Sequence, residues 1–388
     1  MRLDGVRVLD LTRLLPGPYA SQLLVDMGAD VVKIEDTGAG DYARHMPPAT
    51  NAGHGALFDA VNRGKRSIGL DLKSEEGREV FYRLVEDADV VFEQFRPGVV
   101  ERLGVDYETV REYNDDVVYC SLSGYGQNGP HAEMAGHDLN YIGLAGLLDM
   151  TRDSEDEMPR LPGYQIADMG GGLFAAFAIV GALASRELGN TGGEYIDVGL
   201  TDAVVSFSQA LAPEALTGGD PRPGETPLTG QFPWYDVYEA KQGYVTLAAL
   251  EPQFWTAFCE AVDREEWIGT HMTQDRAERE ALRERLETLF AERTRDEWVE
   301  FFEGIDAAVD GVYSPAETFE HPQIEARSYV ERPEDGQPRV GFPARGTEID
   351  HGESADAPSH GSDTDTLLRE AGYDETDLER LRESGVVL

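Results

Sequence analysis

The sequence is poor in lysine and in positive charge as a whole. It has four lysines in 388 residues, and its 74 acidic residues far outnumber its 33 lysines and arginines, so the formal net charge is −41. A chain this acidic is a poor match for nucleic acid or for an anionic membrane surface. It predicts a protein that works at high salt, where the repulsion between its charges is screened. The 41% hydrophobic content argues against the alternative, a disordered acidic chain.

Cysteine, targeting signals and long apolar runs are also scarce. Cys120 and Cys259 are too few for a disulfide framework and predict a reducing compartment. The first residues lack the layout of a signal peptide, and the apolar run at 173–185 is too short to span a bilayer. No His or Cys cluster has metal-ligand spacing. We therefore expect a cytoplasmic protein with no metal and no membrane partner, and a buried helix at 173–185.

Valine-rich segments alternate with helical patterns in the first half of the chain. That alternation predicts a largely parallel sheet covered by helices on both faces. The stretch at 37–61 is rich in Gly, Pro and Ala and is predicted to be loop. No G-x-G-x-x-G and no G-x-x-x-x-G-K-[ST] occurs, so neither a dinucleotide site nor a kinase phosphate loop is indicated. The predicted strands are 6–11, 30–34, 89–93, 116–122 and 194–198, and the predicted helices are 18–27, 75–88, 168–186 and 200–216.

A smaller domain is predicted after a linker at 217–230. Strands at 235–239 and 244–250 are followed by helices near 252–263, 275–292 and 295–303. The fold class is therefore α/β: a large domain with a mostly parallel sheet and flanking helices, plus a smaller α+β domain. The predicted boundaries are 1–216 for the first part of the large domain, 225–330 for the small domain and 331–388 for a return to the large domain. That return is predicted to contain an exposed acidic tether at 350–365 and short helices at 367–383.

A histidine and an aspartate are candidate proton-transfer groups. Asp168 begins the run Asp-Met-Gly-Gly-Gly, which is typical of a helix start. Unpaired backbone N–H groups there are predicted to bind a developing oxyanion, and glycines let a ligand approach the backbone. His137 lies upstream, and a His/carboxylate pair on either side of one carbon is what a two-base racemisation requires. The alternatives are an aspartate that only caps a helix and an ordinary loop or core histidine.

A basic cluster in so acidic a chain predicts an anionic ligand. Arg63, Lys65 and Arg66 lie together in the segment 62–67, and arginine and lysine suit phosphate groups. The alternative is a solvated surface loop.

Five segments carry a family resemblance. They are LLPGP at 14–18, SGYGQNGP at 123–130, GHDLNY at 136–141, ADMGGG at 167–172 and EPQF at 251–254. With them the chain resembles, over nearly its whole length, the family III CoA-transferases (the CaiB/BaiF superfamily), and in particular their α-methylacyl-CoA racemase branch. The resemblance implies that His137 and Asp168 transfer protons and that Glu251 lies near them. It also implies an interlocked homodimer, an acyl-CoA thioester substrate and no permanently bound cofactor beyond the coenzyme A of that substrate.

The same resemblance implies which residues contact coenzyme A. The family often has an arginine shortly after the second strand, where this chain has Glu35 and Asp36, and Arg44 is the predicted substitute. The implied contact residues are Arg44, Arg63, Lys65, Arg66, Asp71, Leu72, Lys73, Ser74, Arg96, Arg102, Gly136, Asp138, Asn140 and Tyr141.

Two activities of the family fit the candidate residues. In a racemase, one base removes the proton α to the thioester carbonyl to give an enolate, and the conjugate acid on the other face returns a proton, with His137 and Asp168 as the pair. Asp168 then needs burial or a nearby charge to raise its pKa, and Glu251 is a candidate for that charge. In the alternative, a CoA-transferase, Asp168 is a nucleophile that forms an acyl anhydride and then an aspartyl-CoA thioester. His137 favours the racemase, because transferases of the family need no histidine there. A noncatalytic CoA-binding protein is the third hypothesis, and the acyl group stays open.

Overall fold

The chain forms two compact units. The computed structural model describes residues 2–152, 154, 156–332, 338–346 and 356–388. The first unit comprises the residues up to Leu147, Pro162–Ser208 and Ser328–Leu388, and the second comprises Leu148–Leu161 and Gln209–Arg327.

The described residues form strands and helices that alternate over the first 200 positions. The strands are β1 Arg7–Asp10, β2 Asp30–Glu35, β3 Arg66–Gly69, β4 Val90–Glu93, β5 Val118–Ser123, β6 Glu194–Gly199, β7 Tyr235–Glu239, β8 Tyr244–Ala248, β9 Val309–Gly311, β10 Val330–Glu331 and β11 Arg339–Val340. The α-helices are α1 Pro16–Asp26, α2 Ala56–Val61, α3 Glu75–Val85, α4 Val99–Leu103, α5 Tyr107–Val110, α6 Asp138–Leu144, α7 Ile166–Glu187, α8 Leu200–Ser206, α9 Ala212–Leu216, α10 Pro252–Ala261, α11 Arg276–Phe290, α12 Arg295–Phe301, α13 Pro315–Phe319, α14 Pro322–Ala326, α15 Thr364–Glu370 and α16 Glu375–Glu383.

The first unit is built on a six-stranded sheet in the order β3-β2-β1-β4-β5-β6. Every pairing in it is parallel, which confirms the predicted α/β class. The strand order reverses direction between β1 and β4. In open parallel sheets, ligands bind beyond the carboxyl ends of the strands at such a reversal.

Both faces of the sheet are buried, and successive side chains of a strand point to opposite sides. Leu9, Val32 and Val91 share one apolar cluster with Phe81 of α3 and with leucines of α15 and α16. On β1, the next residue after Leu9 is Asp10, which is fully buried. It lies on the side of α1, where it accepts a hydrogen bond from a serine of that helix. The face of Asp10 also buries apolar side chains, among them Val8, Val90 and Phe92.

The apolar run at 173–185 lies inside α7, a helix of 22 residues. A side chain at Gly171 would collide with Leu200 of α8, and one at Gly172 would collide with the backbone of Pro16 in α1. These glycines let three helices pack closely. By length and composition alone α7 is able to cross a membrane, but half of its most apolar window is buried inside the fold. The core helix of an ordinary globular domain passes the same test.

Two segments differ from their prediction. Within 37–61, predicted as loop, the chain forms a one-turn 3-10 helix and the helix α2, and Phe58 of α2 is fully buried. The guanidinium of Arg44 lies 3.8 Å from the centre of the Phe58 ring. The single helix predicted at 200–216 is broken into α8, a 3-10 turn and α9. Pro213 lies in the first turn of α9, where a proline is tolerated, although it interrupts a longer helix.

The second unit contains a three-stranded antiparallel sheet in the order β7-β8-β9. Its core also includes residues of α10, α11 and α12, and its largest members are the fully buried Trp234, Trp255 and Trp298. The predicted hairpin around 241–243 is confirmed by the β7–β8 pairing.

The predicted acidic tether at 350–365 is fastened to the first unit over its second half. Residues 350–355 lie outside the described residues. Beyond them, the Pro358 carbonyl accepts a hydrogen bond from Arg44 at 2.8 Å, and the Asp363 carboxylate accepts one from the Ser67 N–H at 2.9 Å. This second half is therefore hydrogen-bonded to the first unit, with residues 356, 359 and 362 exposed and residues 358 and 364 buried.

Candidate active site at the carboxyl end of the parallel sheet

The loops after β1 and β4 meet where the strand order reverses. The backbone N–H of Gly17 donates to Gln94 Oε1 at 3.0 Å. A side chain at Gly17 would collide with both Thr12 and Gln94, which accounts for the glycine. The LLPGP segment therefore lies at the edge of the sheet where proteins of this class bind their ligands.

Lys33 supports the same loop and is fully buried. Its Nζ lies 2.9 Å from the carboxylate of Asp41 and donates to the Thr12 carbonyl at 2.9 Å. Asp41 accepts the N–H of Leu14 at 3.0 Å, and Leu14 has a left-handed backbone with φ of 66°. Burial by itself would lower the pKa of Lys33, but Asp41 and Asp10 outweigh it and the pKa is raised. Sequence reasoning missed this role, although a lysine inside the apolar strand DVVKIE signals it.

Lys65, a predicted phosphate ligand, is also fully buried. Its Nζ donates to Ser21 Oγ at 2.7 Å and to Asn62 Oδ1 at 2.9 Å, and it lies 3.2 Å from Asp10. Burial lowers the pKa of Lys65 to about 8. The Lys65 ammonium is thus enclosed by groups of the chain itself, and its contact with coenzyme A stays a prediction.

The three neighbouring arginines pair with carboxylates of the chain itself. Arg44 donates twice to Glu35, at 2.8 and 2.7 Å. Although burial opposes the effect, Arg44 and a lysine lower the pKa of Glu35 to about 2. Arg63 lies 3.3 Å from Asp26, and Arg66 pairs with two carboxylates. Arg44 is thus bound to the acidic residue that replaces the family's arginine, and it does not take that arginine's place as a free cation.

Three other predicted coenzyme A contacts are exposed cations: Lys73, Arg96 and Arg102. Within the part of the chain that the structure describes, no ion pair involves any of them. The charge of Arg96 acts on Tyr141, which follows the candidate histidine in the sequence. These three residues are the ones left with a free charge for a phosphate.

The DLKS segment has local structural roles. Asp71 Oδ1 accepts the N–H of Lys73 at 3.1 Å, and Ser74 Oγ caps α3 by accepting the Gly77 N–H at 3.0 Å. Leu72 packs against the core of the first unit. Their contact with coenzyme A stays a prediction.

The candidate pair lies on two segments that touch each other. His137 is exposed and is the N-cap of α6, and its N–H donates to Asn140 Oδ1 at 3.1 Å. The next residue, Asp138, reaches across to the start of α7, where its Oδ1 accepts the N–H of Ala167 at 2.7 Å and that of Asp168 at 3.1 Å. The structure therefore brings the segments of His137 and Asp168 together.

The predicted oxyanion site at the start of α7 needs correction. Asp168 is not ahead of the helix but is its third residue. The N–H groups of Ala167 and Asp168 are both taken by Asp138, and the N–H of Met169 donates to the Gln165 carbonyl at 2.9 Å. A carboxylate of the chain, not a ligand, satisfies the helix N-terminus.

The side chain of Asp168 has an unusual proton affinity. Burial, and then the negative charge of Asp138, raise the pKa of Asp168 to about 7. Both causes disfavour the charged form of a carboxyl group. The nearby charge that sequence reasoning sought in Glu251 is supplied, within the first unit, by Asp138.

One wall of the site is a tight aromatic cluster around Tyr141. Its O–H donates to the Gly136 carbonyl at 2.6 Å, and its ring lies 5.1 Å from that of Tyr125 in an edge-to-face contact. A side chain at Gly124 or Gly136 would collide with the Tyr141 ring. Burial is the main cause that raises the pKa of Tyr141 to about 12. The SGYGQNGP and GHDLNY segments are thereby packed together, and Gly136 and Tyr141 have structural roles.

Glu93, at the end of β4, is a buried carboxyl group that sequence reasoning missed. It is 1% exposed, and its Oε2 accepts the N–H of Phe95 at 2.6 Å. Burial raises its pKa to about 7, and the neighbouring charges that act on it, Glu101 and Asp197, are also negative. Asp197 accepts the N–H of Gln127 at 3.0 Å, which gives it a structural role.

Glu251 belongs to the second unit. It is exposed and occupies the N-cap position of α10, with no side-chain hydrogen bond to that helix. Its place near His137 and Asp168 stays a prediction. Among the residues that the structure describes, no group of three His, Cys, Asp or Glu side chains is arranged to hold a metal ion.

The sequence and the fold both match known proteins. Residues 3–364 match the family described as CoA-transferase family III. The chain belongs to this family. Succinyl-CoA:mesaconate CoA-transferase of Haloarcula marismortui is 37% identical to this CoA-transferase family III member over 96% of the chain and 97% of the relative. Human alpha-methylacyl-CoA racemase is 31% identical over 100% of the chain and 98% of the relative. A CAIB/BAIF family protein from Brucella suis has a similar structure, with a TM-score of 0.81 and 31% identity over 95% of this chain and 98% of that one.

Proposed function

We propose that this family member racemises 2-methylacyl-CoA thioesters by moving the α-proton through an enolate, with His137 and Asp168 as the acid–base pair. The observation that carries the proposal is the pKa of Asp168, raised to about 7, on a segment that touches the one holding His137. A carboxyl group of that pKa exchanges a proton readily at neutral pH, whereas an ordinary aspartate is almost fully ionised.

The proton balance follows from these two groups. In one direction Asp168 takes the α-proton and protonated His137 delivers a proton to the opposite face; in the other direction the roles exchange. The substrate leaves with its composition unchanged and its configuration at C2 inverted or retained. The enolate oxygen takes donors other than the N–H groups of Ala167 and Asp168, because Asp138 occupies those.

The free cations of the first unit suit the coenzyme A part of the substrate. We propose that Lys73, Arg96 and Arg102 bind its phosphate groups, since they are exposed and cationic side chains form charge-assisted hydrogen bonds with phosphate oxygens. The buried Lys65 and Arg44 instead form ion pairs with Asp10 and Glu35 of the first unit.

A CoA-transferase is the second candidate. In that reaction the carboxylate of Asp168 attacks the thioester carbonyl, expels the CoA thiolate and forms an acyl anhydride. The thiolate then attacks the aspartyl carbonyl, which releases the donor acid and leaves an aspartyl-CoA thioester. The acceptor carboxylate displaces CoA from that thioester to form a second anhydride, and the thiolate attacks its acyl carbonyl to give the new acyl-CoA and free Asp168. The Haloarcula relative bears a transferase name and shares 37% identity, which favours this candidate. The pKa of Asp168, raised to about 7, favours the racemase, because that reaction needs Asp168 both to take and to release a proton near neutral pH, whereas a nucleophile needs only the ionised form.

One experiment separates the two activities. The protein is incubated in D2O at high salt with a 2-methylacyl-CoA and no acceptor acid, and deuterium at C2 and the R/S ratio are followed. We expect exchange with loss of stereochemical purity, impaired in both His137→Ala and Asp168→Asn. His321→Ala, a change at a histidine that caps α14 in the second unit, is the matched control and should leave exchange intact. CoA transfer to an added carboxylic acid that needs Asp168 but not His137, without exchange, would overturn the racemase in favour of the transferase.

We further propose that the protein is a homodimer. Leu173 and Phe177, one turn apart on α7, are 51% and 74% exposed, and exposed apolar side chains on one helix face are typical of an interface. Light scattering at high salt should give twice the 42.7 kDa chain mass. Phe177→Ser should shift the mass toward that of one chain, and a wild-type mass of one chain would contradict the proposal.

We also propose that the protein works at high salt in a reducing cytoplasm. The excess of 74 acidic over 33 basic residues needs screening, and the cysteines Cys120 and Cys259 are both buried and free. Activity that rises with potassium chloride would support this setting, and activity lost at high salt would contradict it.

A further inference from the structure

Three arginines lie on one face of α11 in the second unit. Arg276, Arg279 and Arg283 are spaced at i, i+3 and i+7, which places them on neighbouring turns of the same face. Together with Glu280 they line a surface pocket whose other wall is the loop 224–231. In a chain with so few basic residues, three cations on one helix face repel one another unless anions neutralise them.

Two of these arginines are neutralised by the chain. Arg283 pairs with Asp236 and also donates to the Gly230 carbonyl at 2.7 Å, which fastens the loop to the helix. Arg276 pairs with Glu280 at 2.8 Å, one turn further along. The positive charges of Arg276 and Arg283 are therefore both neutralised by carboxylates of the chain.

Arg279 is different. Its guanidinium lies 5.4 Å from the centre of the buried Phe232 ring, and no carboxylate of the described residues forms an ion pair with it. Its Nη1 is buried and has no hydrogen-bond partner there. A buried donor without a partner costs about 1 to 3 kcal/mol, and more when it is charged. Because this nitrogen is buried in the fold, the guanidinium must turn toward the pocket to donate to an oxygen ligand, and that hydrogen bond would relieve the cost.

The loop opposite Arg279 is held in a fixed shape. The N–H of Thr229 and that of Gln231 both donate to the Thr226 carbonyl, at 3.1 and 3.3 Å, and Thr226 is 7% exposed. The hydroxyl groups of Thr226 and Thr229 are 2.8 Å apart. The pocket wall opposite Arg279 is thus internally hydrogen-bonded.

We propose that Arg279 is the centre of an oxyanion-binding site in the second unit, which takes the carboxylate or phosphate group of a small anion. The planar guanidinium presents paired N–H donors that match two oxygens of such a group. Because Arg276 and Arg283 are already paired with Glu280 and Asp236, the charge that attracts the anion is that of Arg279. The site uses none of the residues assigned above to the acyl-CoA.

The test is calorimetric titration of the full chain with inorganic phosphate and, separately, with succinate, at a fixed high concentration of potassium chloride. The variants are Arg279→Met and Arg285→Met, which remove the same charge from α11; Arg285 is exposed and does not line the pocket. We expect saturable binding at one site in the wild type and in Arg285→Met, and binding at least about tenfold weaker in Arg279→Met.

Each outcome decides the proposal. Preference for phosphate or for succinate identifies the group that the site takes, and loss of both in Arg279→Met supports the shared chemistry. No saturable binding by the wild type, or equal weakening in both variants, would overturn it. Should Arg279→Met unfold, Arg279→Lys keeps the charge and the stem but loses the paired donors, and it should still bind several-fold more weakly; unchanged binding by that variant would also overturn the proposal.

Discussion

Asp138 holds the backbone of Asp168 and also raises the pKa of its side chain. Its Oδ1 accepts the Asp168 N–H at 3.1 Å, and its charge adds to burial, the larger cause, in raising that pKa to about 7. One residue next to His137 therefore sets both the position and the proton affinity of its proposed partner.

Asp138→Asn should lower the pKa of Asp168. The amide oxygen can still accept the two backbone N–H groups, but the negative charge is gone, so the ionised form of Asp168 is less disfavoured. In the direction in which Asp168 is the base, the rising limb of the pH–rate profile for C2 exchange should move to lower pH. Burial remains, so the limb should stay above the ordinary range of an aspartate.

The matched control for this change is Asp87→Asn, an exposed aspartate just after α3. It removes the same charge and should leave the limb in place. If Asp138→Asn lowers the rate of C2 exchange at every pH without moving the limb along the pH axis, Asp138 only positions Asp168.

Lys33→Met should destabilise the fold strongly. It leaves the buried carboxylate of Asp41 without its ion pair and the Thr12 carbonyl without its donor. Removing one partner of a buried pair costs about 3 to 5 kcal/mol. Lys73→Met, at an exposed lysine, should change the free energy of unfolding by less than about 0.5 kcal/mol. Denaturant unfolding at fixed high salt compares the two, and equal effects would contradict the described role of Lys33.

Glu93→Gln should stabilise the protein at pH 8 but not at pH 5. The pKa of Glu93 is raised from 4.5 to about 7, chiefly by burial, so the folded state binds the proton more tightly than the unfolded state. The stability that the protonated carboxyl contributes is present below pH 4.5 and is lost as the pH rises through 7. The neutral amide avoids this loss.

We expect the free energy of unfolding at pH 8 to exceed that of the wild type by about 1 to 3 kcal/mol. Glu101→Gln, at an exposed glutamate on α4, is the control and should show no comparable gain. Equal stability of Glu93→Gln and the wild type at both pH values would mean that Glu93 is not buried as a carboxylic acid.

Gly172→Ala should weaken the packing of α7. An added Cβ would lie 2.5 Å from the Pro16 carbonyl oxygen and 3.0 Å from the Tyr19 ring, and overpacking of this kind costs about 1 to 3 kcal/mol. Gly181 lies on the same helix, and a Cβ added there would have nothing within 4 Å of it. Gly181→Ala should therefore raise the melting temperature, since alanine favours a helix by up to about 1 kcal/mol. The opposite order of the two melting temperatures would contradict the described packing.

The alternation of strand and helix could be predicted because each element carries its own period. The parallel sheet and the hairpin around residues 241–243 follow from such local patterns. The segments that hold His137 and Asp168 are also local motifs, and they were enough to indicate the family. The partners of charged side chains could not be predicted in this way. Lys65 and Arg44 look like phosphate ligands in a list of residues, but only the fold shows that Asp10 and Glu35 lie beside them.

The start of α7 illustrates the same limit. A glycine-rich helix start with an aspartate predicts free N–H groups, yet the groups are occupied by Asp138, which is 30 positions away in the sequence. Hydrogen bonds between residues far apart in the sequence produce no repeating pattern from which they could be predicted. The composition did, however, show the excess of acidic over basic residues. Because basic residues are rare in this chain, each buried one is a candidate for a specific structural role.

The burial of Lys33 and Lys65 also bears on self-modification. Thioesters acylate free amines without a catalyst, and the substrates of this family are thioesters. Of the four lysine side chains, only those of Lys73 and Lys241 are exposed. In the folded chain, the thioester substrate can therefore acylate only these two lysine amines. Adducts should therefore be confined to these two positions, and their mass-spectrometric detection at Lys33 or Lys65 would report on unfolded chains.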